Sequence, residues 1–96
     1  MKELDIDKLD MAAGRLRALA HPLRIAVIEL LMVNEKLSVT DIYKNLRIEQ
    51  AVASHHLNIL KNKGLLIAKR DGKNIYYSLK IKELSQVIEC MNRCNY

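Results

Sequence analysis

Three sets of residues in this chain could do chemistry. Cys90 and Cys94 stand four positions apart near the C-terminal end, a spacing that puts two thiols side by side on one helical face. Their β-carbons would be about 5 to 6 Å apart, beyond the roughly 3.5 to 4.5 Å that a disulfide needs, so the pair suits a soft ion or arsenite better than an intrahelical bridge. The structural alternative is a small hydrophobe, Cys90, beside Val87 and Met91, with Cys94 at a frayed end. His55 and His56 are adjacent, leave a helix about 100° apart and cannot act as one catalytic pair. Gln50, Ser54, His55, Asn58 and Lys61 recur on one helical face as groups that can hydrogen-bond, with the small Ala51 among them and Lys63, Lys69, Arg70 and Lys73 following. No nucleophile, base and orienting group can be assigned together and no glycine-rich phosphate loop is present, so the expectation is no enzyme and no cofactor.

Charge singles out the same stretch. The formal net charge of +5 divides into −1 for residues 1–35, +7 for 36–82 and −1 for 83–96. Between Gln50 and Arg70 there is no carboxylate at all, so the cations there cannot be neutralised by pairing along the helix. A solvated basic face or a polyanion footprint would both look like this, and the order of elements must decide.

Those elements follow from periodicity. Leu9, Ala12, Leu16 and Leu19 mark a first helix over about residues 5–20, with Asp5 or Asp7 as its cap. His21-Pro22 breaks it and opens a second helix that is apolar nearly all round from Leu23 to Leu31. Ser38-Val39-Thr40-Asp41 reads as a capping box for a short third helix ending near Asn45, with Val39, Ile42 and Leu46 inward. A tight connection, Leu46-Arg47-Ile48, leads to a fourth helix that turns Ala53, Leu57 and Leu60 inward and stops at Gly64. The period then becomes 2. Residues 66–70 and 74–79 flank Asp71-Gly72 as a β-hairpin with Lys69, Arg70 and Lys73 at its tip, Ile75, Tyr77 and Leu79 on the core face and Tyr76 outward. Ile81, Leu84, Ile88 and Met91 mark a last helix over about 82–94.

Two short helices joined by a tight turn and followed at once by a basic hairpin make a winged helix-turn-helix: mainly α with a small β wing, in the order α-α-α-α-β-β-α. A helix fits the major groove of double-stranded DNA, where short polar side chains reach base edges, and flanking cations meet phosphates. Gln50, Ala51, Ser54, His55, His56 and Asn58 with Lys61, Lys69, Arg70 and Lys73 are the expected DNA-binding set. Ninety-six residues make one domain, 1–96, with a thin core that a dimer interface would supplement. No apolar run is long enough to span a bilayer, and a chain without a signal core is expected in the cytoplasm with no membrane partner.

Leu16 to Leu31, Ala51 to Leu60 and Gly64 to Leu79 resemble the ArsR/SmtB winged-helix repressors. Ala53-Ser54-His55-His56-Leu57-Asn58-Ile59-Leu60 is similar to that family's V-S-x-H-L-x-x-L recognition helix, and Gly64-Leu65 and the wing ending Tyr76-Tyr77-Ser78-Leu79 continue the likeness. The resemblance implies a homodimer paired through the first and last helices, an inverted-repeat operator, and release by an inducer. It also implies that His56 lies against the helix scaffold or a phosphate, while the outer face of the fourth helix puts His55 at the groove. A winged-helix protein-interaction module is the alternative, and it would want a flat apolar surface where this chain has Gln50, Ser54, His55 and Asn58.

The chain departs from the family's metal sensors in three places. Where their third helix opens E-L-C-V-C-D-L, this one reads Lys36-Leu37-Ser38-Val39-Thr40-Asp41-Ile42, without either thiolate. Ile81 to Asn95 holds neither the Asp nor the His of the second family metal site. Glu49 stands where a small capping residue is common, and its carboxylate would repel a phosphate at that helix start. No metal site is therefore expected on the family's pattern, and Cys90 and Cys94 alone are candidates for metal or redox chemistry.

Overall fold

A computed structural model describes residues 3–94. Helix α1 (Ile6–Leu19) starts at Asp5, whose carboxylate accepts from the backbone N–H groups of Asp7 and Lys8. Helix α2 (Pro22–Val33) has proline at its first position and His21 as its cap, the His21 Nδ1 accepting from Leu23 N–H at 3.1 Å. Helix α3 (Val39–Leu46) opens with the expected capping box: Ser38 Oγ accepts from Asp41 N–H at 3.1 Å and the Asp41 carboxylate accepts from Ser38 N–H at 3.2 Å. Helix α4 (Gln50–Asn62) follows, then strands β2 (Leu66–Asp71) and β3 (Asn74–Leu79), and helix α5 (Leu84–Asn92).

Both α3 and α4 close in Schellman fashion, with different degrees of backbone strain. After α4, Leu65 N–H donates to Leu60 and Gly64 N–H to Lys61, with Gly64 at φ 76°. After α3, Ile48 N–H donates to Tyr43 and Arg47 N–H to Lys44, but the left-handed position is filled by Arg47 at φ 55°. A side chain there costs about 1 to 2 kcal/mol relative to the ordinary helical region.

Sequence periodicity did not foresee a third strand. β1 (Leu37–Ser38) is only two residues long and pairs antiparallel with β3, Leu37 opposite Tyr77 and Ser38 opposite Tyr76. Two residues are too few to show an alternation. The sheet order is β1-β3-β2. The hairpin turn also sits one residue later than expected: Asp71 pairs with Asn74, and Gly72-Lys73 is the two-residue loop, with Gly72 at φ 64°. Glycine alone at positive φ in the first loop position is the II′ pattern. Tyr76 is half-buried rather than fully outward, with the Lys36 ammonium 5.2 Å from its ring centroid.

The core gathers Val27, Ile28 and Leu31 of α2 with Ile42, Leu57, Leu60, Leu65, Leu66, Tyr77, Leu84 and Ile88, sealed by Ala18 and Leu19 of α1. Ala53, Leu57 and Leu60 are wholly buried, as the spacing in α4 predicts. The apolar stripe of α1 does something else. Leu9 is 47% exposed and Leu16 62%, because α1 meets the core through Gly14, Ala18 and Leu19 instead. On α5, Leu84 and Ile88 face inward while Val87 and Met91 are 44% and 64% exposed. The terminal helices thus carry more apolar surface than one chain covers.

Candidate nucleic-acid interface

Burying Ala53, Leu57 and Leu60 fixes the rotation of α4 about its axis, and the opposite face is set by that choice. Gln50, Ala51, His55, Asn58 and Lys61 are exposed on it and Ser54 is half-buried at its edge. Lys69, Arg70 and Lys73 are exposed on the hairpin that follows. Side chains with donors and acceptors therefore line a helix, and cations stand on the adjoining wing. These are the residues expected from the sequence to meet base edges and phosphates.

His56 has to be removed from the duplex-facing set. It is only 6% exposed, because residue 56 falls on the same side of α4 as Ala53, Leu57 and Leu60. Its Nδ1 accepts from Arg24 Nε at 3.1 Å, and its ring lies 4.5 Å from that of His21 and 5.4 Å from that of His55. An accepting Nδ1 places the ring proton on Nε2. Burial lowers the His56 pKa below its ordinary 6.5, helped by the positive charges of His21, Arg24 and His55.

The unfolded chain takes up the His56 proton at a higher pH than the folded one, so stability is full above pH 6.5 and is lost as the pH falls through that value towards the folded-state pKa. Urea unfolding followed by circular dichroism should give a lower midpoint in mild acid than at neutrality, and His56→Gln should shrink the difference. An equal acid loss in both proteins would assign it elsewhere.

Two cationic residues near this surface were not singled out by sequence reading. Arg47, in the turn between α3 and α4, is exposed and held left-handed. An arginine where glycine is usual is the signal that could have found it. Arg24 gave no such signal, since its partners lie on α1 and α4 and only the fold brings them together. Glu49 caps α4 without a side-chain hydrogen bond, so the first N–H groups of that helix have no side-chain acceptor and a carboxylate stands beside them.

Cys90 and Cys94 are both exposed on and just beyond α5, with Cys94 Sγ 3.5 Å from the Cys90 carbonyl oxygen. Among the described residues no three His, Cys, Asp or Glu side chains converge as a metal-ligand group. No helix among them is long and apolar enough to cross a membrane.

The surface has relatives. Residues 21–68, which contain α2, α3, α4 and the start of the wing, match the family described as bacterial regulatory protein, arsR family. The chain is also 36% identical over 86 residues to the HTH-type transcriptional regulator NmtR of Mycobacterium tuberculosis, covering 90% of this chain and 71% of that protein. It belongs to the arsR family.

Solved structures agree with that membership. The transcriptional repressor PagR of Bacillus anthracis superposes with a TM-score of 0.81 at 31% identity, covering 92% of this chain and all of PagR. HlyU of Vibrio cholerae superposes with a TM-score of 0.80 at 28% identity, over 90% of this chain and 92% of HlyU. This arsR-family chain is a DNA-binding regulator of transcription with a winged helix-turn-helix fold, and not an enzyme. α3 and α4 are the helix-turn-helix, and β2 and β3 are the wing.

Proposed function

We propose that this regulator is a homodimeric repressor of an inverted-repeat operator, working in the cytoplasm and released from DNA by an inducer. The observation that carries the reading is the exposed face of α4: Gln50, Ala51, Ser54, His55 and Asn58 meet base edges, while Lys61, Lys69, Arg70 and Lys73 meet phosphates. The exposed Leu9 and Leu16 of α1 and Val87 and Met91 of α5 support pairing through the terminal helices. In such a dimer the two copies of α4 stand about 34 Å apart, matching successive major grooves on one side of the duplex.

Cys90 and Cys94 are where an inducer with affinity for sulfur acts in this reading. A single soft atom with bonds of about 2.3 Å to each thiolate spans a gap that is too long for one sulfur–sulfur bond of about 2.05 Å. Thiolate charge-transfer absorbance during titration of the reduced protein checks this, and its absence leaves the inducer to another site.

The test of the main reading is salt. If a dimer engages about 8 phosphates, log affinity falls with log salt at a slope near −7 on a duplex selected by the protein from a randomised pool. A slope near zero, or no preference for any duplex, would instead favour a protein-interaction module.

A further inference from the structure

We propose that Arg24 and His56 form a proton-sensitive clasp that sets the angle at which α4 is presented to DNA, making both of them positioning residues for recognition. The inference rests on the reading of the outer face of α4 as the base-reading surface.

The inner face of α4 would pack well if it were apolar throughout, as Ala53, Leu57 and Leu60 are. A buried imidazole among them is unfavourable unless its polar atoms are bonded. Arg24 supplies the bond, Nε to His56 Nδ1 at 3.1 Å, and a second arm of the same guanidinium, Nη1, donates to the carbonyl oxygen of Ala18 at 3.3 Å. One rigid planar group rooted on α2 therefore fastens α4 to the last turn of α1. α1 is the helix through which we place the dimer contact, so the clasp lies between the element that spaces two protomers and the element that reads bases. His21 completes it, with its ring 4.5 Å from that of His56 and its own Nδ1 occupied by Leu23 N–H.

The clasp works only while the His56 Nδ1 lone pair is free. A proton there turns an acceptor into a donor facing the Arg24 N–H and adds a positive charge to a buried site. The ionisable groups facing His56 are Arg24 on α2, His21 at its cap and His55 on α4; all are bases, and none is a carboxylate that could compensate. Proton uptake and correct presentation of α4 are thus opposed, and by linkage acid must weaken the bound state.

The experiment compares wild type, His56→Gln and Arg24→Lys as full chains. The probes are a duplex selected by the wild type from a randomised pool near pH 7.5 and an unrelated duplex of equal length. In His56→Gln the side-chain amide oxygen can accept from Arg24, and the amide takes no proton. The ratio of wild-type to His56→Gln affinity for the selected duplex should fall about tenfold between about pH 7.5 and about pH 5.5, because only the wild type carries an imidazole at position 56. Arg24→Lys should lose about tenfold on the selected duplex near pH 7.5 and much less on the unrelated one, because phosphate attraction does not need a fixed helix angle. Parallel pH profiles for wild type and His56→Gln, or equal losses of Arg24→Lys on both duplexes, overturn the clasp. If either variant fails to fold, nitrogen NMR of His56 in the wild type decides. The clasp requires an unprotonated Nδ1 near neutrality and α4 amide shifts that move with its titration; a proton on Nδ1 at neutrality overturns it. A wild type that selects no duplex refutes the DNA-binding reading, and the NMR titration still judges the clasp.

Discussion

Leu16→Glu is expected to leave each protomer folded, to dissolve the homodimer and to lower affinity for a selected duplex by about a hundredfold or more. Leu16 is 62% exposed in the single chain, so a carboxylate there meets water and disturbs no core contact. In the proposed dimer the same carboxylate is buried against an apolar partner surface without a counter-charge, which costs several kcal/mol. Losing the dimer removes the second half-site from every binding event. A tethered second module acts at an effective concentration in the millimolar range, so its loss removes about two to four orders of magnitude. Sedimentation should show monomers at concentrations where the wild type is dimeric, and fluorescence anisotropy should show the drop in affinity. A Leu16→Glu protein that still sediments as a dimer removes α1 from the interface.

Ser54→Ala and His55→Ala should damage discrimination while largely sparing attraction to DNA as such. A good base contact is worth about 1 to 3 kcal/mol against a wrong base, so the ratio of affinities for selected and unrelated duplexes should fall by roughly 5- to 150-fold for each. Arg70→Ala makes the contrasting case. Its guanidinium is exposed on the wing, and its removal should weaken both duplexes together and flatten the salt slope by about 1 per protomer. The comparison is informative because the residues stand on different elements: Ser54 at the edge of the α4 face and His55 on it, with Arg70 in β2. If the Ser54 and His55 substitutions cost equally on every sequence, those side chains hold the phosphate backbone and the base-reading role passes to their neighbours.

Local rules made most of the fold legible. The capping box at Ser38, proline at the start of α2, Gly64 after α4 and alternation through the hairpin each state their structure within a few residues of sequence. What stayed hidden depended on residues far apart in the chain. β1 exists because Leu37 and Ser38 find β3 some forty residues on, and a pair that short carries no period. The spacing of the stripe on α1 is helical, as the structure bears out, but periodicity cannot say whether a stripe meets its own core or another chain. His56 illustrates the limit for the site. Its spacing from Ala53, Leu57 and Leu60 turns it inward, but its partner Arg24, thirty-two positions earlier, is brought to it only by the fold.

Ser38 occupies a joint. Its hydroxyl starts α3, while its backbone lies in β1 opposite Tyr76 in the middle of the wing. Ser38 therefore ties the helix pair to the hairpin through both its hydroxyl and its backbone, beside the pairing of Leu37 with Tyr77 and the packing of α4 against β2, which leaves the two parts little freedom to swing independently. On the proposed reading, a protein jointed in this way meets the double helix as a gauge of fixed jaw width, and a duplex of the wrong contour is refused by both jaws together.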